Sequence, residues 1–168
     1  MISDLVPLYH YVINAVDENG TSTIHFEYDN DSIRTIGSER NQSMEFIDGS
    51  FYTLGTMQSD GLNYYAYLLE FSTDLDEVLD VHVLNECCEV GAGFTLHASS
   101  DDHLMATAFY EIDSPFYYTY FRLSKLDLQA QELWHQDFYC TPGVFNCNIR
   151  PIHTLETPDG ASCSPLRL

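Results

Sequence analysis

With 168 residues the chain is long enough for one domain with a real core, so residues 1–168 are read as a single repeat domain. Its 26 acidic residues against 6 basic ones give a formal net charge of −20, which argues against nucleic acid or an anionic membrane as a direct partner. The 12 tyrosines and 10 phenylalanines suit pleated sheet, where flat rings pack well, and point to an all-β protein.

The N-terminal segment Met1 to Pro7 carries no basic residue, and its apolar run is broken by Asp4, Pro7 and His10, so no signal peptide is expected. No stretch approaches the roughly 18 to 20 continuous apolar residues of a membrane span. Residues 8–28 read as half of a four-stranded unit: Tyr9 to Ile13, a turn at Asp17-Glu-Asn-Gly20, then Ile24-His-Phe26.

Residues 43–85 read as a complete unit. A strand from Ser43 to Ile47 turns at Asp48-Gly49, a pair suited to a tight hairpin because both residues tolerate positive φ, and a second strand runs through Met57. Asn63 to Phe71 is apolar on both faces and is predicted to be covered on both sides. Val78 to Leu84 interleaves Asp80 and His82 with Leu79, Val81 and Val83, the half-polar alternation of an outer edge strand.

Residues 93–139 repeat this unit. Leu123 to Phe138 contains good helix formers, but the repeat register predicts turn plus strand there, and register outweighs local propensity. Residues 151–160 begin a further unit with Ile152 to Leu155 and Thr157-Pro-Asp-Gly160, and residues 161–168 leave the pattern.

The repeat rests on three blocks in the same order. Asp48 to Thr56 lies over Asp101 to Phe109, and Tyr64-Tyr-Ala-Tyr67 over Tyr117-Tyr-Thr-Tyr120, both at an offset of 53. Val78-Leu79 then meets Leu133-Trp134 and Val83 meets Phe138, at an offset of 55. The expected architecture is a set of antiparallel four-stranded repeats of about 53 to 55 residues.

Lys125-Leu-Asp127 with Ala130 and Leu133-Trp134, together with Asp17-x-x-Gly20, Asp48-Gly49 and Gly55-Thr56, resemble the propeller-type repeats of secreted and cell-surface bacterial proteins. Those units run Asp-Gly-Gly, an apolar strand with Gly-Thr, a Tyr-rich strand, Lys-Leu-Asp-x-x-Gly and an aliphatic-Trp ending. Here Ser50 or His103 replaces the second glycine, and Ala130 the last one. The resemblance spans residues 8 to 160 and implies a partial β-propeller-like array acting as a structural or binding module. It implies an extracellular or cell-surface setting if the chain belongs to a larger exported protein.

No motif for chemistry stands out, and no catalytic, cofactor-binding or metal-ligating residue is assigned. The seven histidines, His10, His25, His82, His97, His103, His135 and His153, form no H-x-x-x-H or H-E-x-x-H pair and are read as strand-face or loop residues. Asp29-Asn-Asp31, Asp74-Leu-Asp76 and Asp101-Asp102 lack the continuation of a calcium loop and are read as turn formers. There is no G-x-S-x-G elbow, and Cys87-Cys88 has no basic neighbour in sequence to activate a thiol. The cysteines Cys87, Cys88, Cys140, Cys147 and Cys163 are an odd count without a zinc-type pair, read as free thiols, with a Cys87–Cys140 bridge between neighbouring units as the alternative.

The expected function is therefore a non-enzymatic structural or binding module that is part of a larger protein, with an unidentified protein or ligand as partner. Three blades fall short of a closed propeller of about four to eight. If each end face covers on the order of 500 Å², leaving it wet forgoes roughly 12 kcal/mol, so the chain is expected either to be a fragment of a larger propeller or to associate through its end blades. The alternative is a complete small acidic protein that binds a basic partner or mimics nucleic acid. Mimicry requires carboxylates aligned on one face, whereas a repeat array places them in turns at equivalent positions.

Overall fold

Turn residues punctuate the chain at short intervals and β-branched and aromatic residues fill the gaps, so every regular element among the described residues is a strand. The computed structural model describes residues 11–28, 34–36, 44–58, 64–84, 90–114, 116–139, 150–151, 155–156, 162–163 and 166–167. β1 (Tyr11–Val16) and β2 (Ser22–Tyr28) form a hairpin. β3 (Arg34–Ile36) pairs with one end of β5 (Ser50–Gln58), and β4 (Met44–Ile47) with its other end. Strands β4, β5, β6 (Tyr64–Phe71) and β7 (Val78–Val83) make the first antiparallel four-stranded sheet. β8 (Val90–Ala98), β9 (Leu104–Ser114), β10 (Phe116–Leu126) and β11 (Glu132–Tyr139) make the second. One parallel bridge, Tyr64 to Val90, ties the two. Of the short strands that follow, β12 (Arg150–Pro151) pairs with β15 (Leu166–Arg167), and β13 (Leu155–Glu156) with β14 (Ser162–Cys163).

The chain is all-β, and the segment from Leu123 to Phe138 is strand, turn and strand rather than helix. Residues 157–160, Cys87, Cys88, Cys140 and Cys147 lie outside the described residues, and with them the expectation of a Cys87–Cys140 bridge. Cys163 lies in β14.

The clearest repetition is in the turns. Asp17, Ser72 and Asp127 stand 55 residues apart, and each begins a turn in which its own amide donates to a carbonyl four or five residues on and its carbonyl accepts from the residue three on. The Asp17 carboxylate accepts from the amides of Asn19 and Thr21 at 2.9 and 2.8 Å. The Asp127 carboxylate accepts from those of Gln129 and Gln131 at 3.0 and 2.8 Å, and the Ser72 hydroxyl from Asp76 and Glu77. These amides hold the Asp17 carboxyl below its usual range, the Thr21 amide contributing most. The third residue after each is left-handed: Gly20 at φ 82°, Leu75 at 57° and Ala130 at 59°.

A side chain in that conformation costs about 1–2 kcal/mol that glycine escapes. Ala130→Gly is expected to raise stability by about 0.5 kcal/mol after allowing for glycine's greater freedom when unfolded and the lost methyl. Urea denaturation at constant m-value checks it; a loss of stability would mean that the Ala130 methyl, which packs on the core, outweighs the strain.

The strand register corrects two of the three sequence alignments. The bulge between Ala15 and Val16 recurs between Glu70 and Phe71 and between Lys125 and Leu126, again at steps of 55. β6 therefore maps onto β10 at 55, not 53, which places Tyr65 on Tyr120 and Tyr67 on Arg122. β7 maps onto β11 at 54, not 55, placing Leu79 on Leu133 and Val83 on Asp137. β5 keeps its expected offset of 53 from β9, since Phe51 pairs with Phe71 as Leu104 pairs with Leu126. Between equivalent residues the connection from β9 to β10 is longer than that from β5 to β6, and the turn from β10 to β11 shorter than that from β6 to β7, so no single offset describes a whole unit.

The two sheets meet through Ile47, Tyr52, Leu54 and Leu68 of the first and Leu96, Leu104, Ala106 and Leu126 of the second. Leu54 and Leu68 are 1% and 0% exposed. Within this layer, burial first and the Glu70 carboxylate second push the Tyr52 phenol up to about 12, which keeps it a hydrogen-bond donor. The opposite faces are buried as well. Tyr67, Leu69 and Phe71 form a second cluster with Leu75, and Met105, Thr107, Phe121 and Leu123 of the second sheet are also buried. The apolar third strand expected from the sequence is thus covered on both faces.

Candidate polar cluster on the second sheet

The strand alternation of β9, β10 and β11 puts Tyr110, Tyr120, Arg122, Ser124, His135, Asp137 and Tyr139 on one face of the second sheet, the face turned toward the first. Arg122 and Asp137 are directly paired across β10 and β11. The guanidinium donates through Nε to Asp137 Oδ1 at 2.7 Å and through Nη2 to Oδ2 at 2.9 Å, a bidentate fork. Its Nη1 lies 3.8 Å from Glu132, and its carbon sits 5.7 Å and 5.5 Å from the ring centres of Tyr110 and Tyr120. The Tyr120 ring in turn lies between those of Tyr110 and Tyr139, at 5.3 and 5.5 Å.

Glu132 is the second hub. It accepts from Ser124 Oγ at 2.9 Å and lies 2.6 Å from His135 Nδ1, while His135 Nε2 is 3.9 Å from Asp137. A serine–histidine–acid relay needs the hydroxyl on the imidazole. Here Ser124 and His135 both turn to the carboxylate, so neither activates the other. The arginine's fork is also committed to Asp137, which leaves the cluster closed on itself as an electrostatic clamp between β10 and β11.

Burial works to raise Asp137, but the Arg122 guanidinium outweighs it and holds the carboxyl below its usual range. Asp101 is lowered in the same sense, first by its hydrogen bond from Lys125 and then by that from Ser99. A carboxyl depressed in the folded state contributes stability that is present above the unfolded value, near about 4, and is lost as pH falls through the folded one. Asp137→Asn is expected to cost about 2 kcal/mol at pH 7. The difference from the parent should shrink below about pH 4; a cost that is constant from pH 7 to pH 3 would show that charge plays no part.

Three further histidines face a carboxylate: His82 Nε2 lies 3.6 Å from Asp80, His97 Nδ1 3.7 Å from Glu45, and His103 Nδ1 3.3 Å from Asp101. His25 lies in β2, whereas His10 and His153 are outside the described residues. Asp76 and Asp101 serve their turns, accepting from Ser72 Oγ and Ser99 Oγ at 2.6 Å each. Asp29 to Asp31 lie outside the described residues. Among the described residues no group of three or more His, Cys, Asp or Glu could hold a metal ion, and no helix is long and apolar enough to cross a membrane.

The Arg122 cluster was missed in the sequence because its carboxylate partners lie 10 and 15 residues away, across a turn and a bulge. The one available signal was Arg122 itself, a basic residue in a Tyr-rich strand of a chain with only 6 basic residues. No family model, curated protein or solved structure matches the chain.

Proposed function

We propose that this chain is a non-enzymatic module of propeller-like repeats whose role is structural or ligand-binding, within a larger assembly. The observation that carries this reading is the constant step of 55 residues at which the same bulge and the same left-handed turn recur in three successive hairpins. Such a step suits stacked units, each of which covers the apolar face of its neighbour, as the second sheet covers the first. The polar cluster around Arg122 supports a non-enzymatic role, because its charges and hydroxyls satisfy one another rather than a reacting group.

Carboxylates at Asp17, Asp48, Asp101 and Asp127 fall in turns, which favours a repeat array over an aligned mimic of a phosphate backbone. The test is a panel of chromogenic ester, phosphate and glycoside substrates with the purified chain, alongside small-angle scattering. The expected outcome is no turnover and a scattering profile that fits sheets packed side by side. Turnover abolished by His135→Ala would overturn the non-enzymatic reading, and a profile of separated sheets would overturn the array.

A further inference from the structure

We infer that β11 is a docking strand that takes up an extended, basic segment of a partner by strand addition; this deepens the binding-module reading and rests on it. β11 runs for 8 residues, Glu132–Tyr139, and among the described residues pairs only with β10. Its outer edge presents backbone donors and acceptors at alternate residues. The strand Glu-Leu-Trp-His-Gln-Asp-Phe-Tyr carries no lysine and no proline, the residues that most directly block pairing at an edge.

Glu132 through Gln136 are exposed in succession, so both faces of the strand are open there. Three large side chains lie along it: Leu133 at 51% exposure, Trp134 at 42% and Tyr139 at 65%. Leu133 is the extra residue of the bulge, and its equivalent on β7, Leu79, is 50% exposed. An added strand would find aromatic and aliphatic anchors beside the backbone edge, the combination by which strand addition gains both affinity and selectivity.

Charge selects the occupant. A formal net charge of −20 repels a second copy and draws a segment rich in Lys or Arg. A strand alternating basic and apolar residues would set its apolar side chains on Leu133 and Trp134 and turn its charges to the acidic surface around them.

Trp134 is the single tryptophan, so its emission reports the site directly. The full chain is titrated with a peptide alternating lysine and valine, with its glutamate–valine counterpart, and with a lysine–proline counterpart that cannot pair as a strand. The expected result is a saturable blue shift with the first peptide only, at least about tenfold tighter than with either control, and slowed amide exchange confined to Glu132–Tyr139. Leu133→Lys, an exposed position, should weaken binding by about tenfold or more while leaving the fold intact.

Equal binding of the lysine–proline peptide would reduce the effect to diffuse attraction and overturn strand addition. So would the absence of any shift, slowed exchange elsewhere, or unchanged affinity in the Leu133 variant. None of these results touches the module reading, which the turnover and scattering experiments decide separately.

Discussion

Leu54→Ala is expected to lower the stability of the chain by about 3 kcal/mol and its melting temperature by roughly 6–12 °C. Leu54 is 1% exposed and sits where the first sheet meets the second, in one cluster with Leu68, Leu96 and Ala106. Truncating it removes apolar contacts from both sheets at once, and a packed β layer cannot collapse to fill the space. Denaturant unfolding followed by Trp134 emission checks the value. A loss under about 1 kcal/mol would show that the two sheets do not depend on this layer.

Gly93→Ala is expected to cost about as much, for the opposite reason. A Cβ on Gly93 would stand 2.6 Å from Leu54 Cγ, 2.8 Å from the Gly55 carbonyl oxygen and 3.2 Å from its nitrogen. Two of these atoms are backbone and cannot rotate away, so β8 would have to retreat from β5 and open the layer between the sheets. Overpacking of this kind costs about 1–3 kcal/mol, and the upper end applies where backbone blocks the way. The two substitutions share Leu54 Cγ, so they should not add. Removing the leucine clears the 2.6 Å approach but leaves the Gly55 oxygen at 2.8 Å. The double variant should therefore be about 1 kcal/mol more stable than the sum of the single losses predicts. Strict additivity would mean that the sheets are spaced more widely than this geometry requires.

What the sequence determined by itself is the local part. Asp17 with Gly20, Asp48 with Gly49, and Asp127 with Ala130 encode their turns within four residues, because side-chain acceptors and left-handed backbone act at that range. The apolar run of β6 was legible for the same reason, since burial is written along one strand, whereas the alternation read in β7 is broken by the bulge that leaves Leu79 exposed. The rest was decided by the tertiary structure. Bulges at Ala15, Glu70 and Lys125 moved the register between neighbouring strands, and a bulge has no signature in the strand that carries it. Arg122 met Asp137 only through that register. Gly93 looks like any glycine in a strand until the first sheet's backbone is laid against it. Turns follow from short-range sterics, whereas pairing partners and sheet spacing depend on residues dozens of positions apart, which no local pattern records.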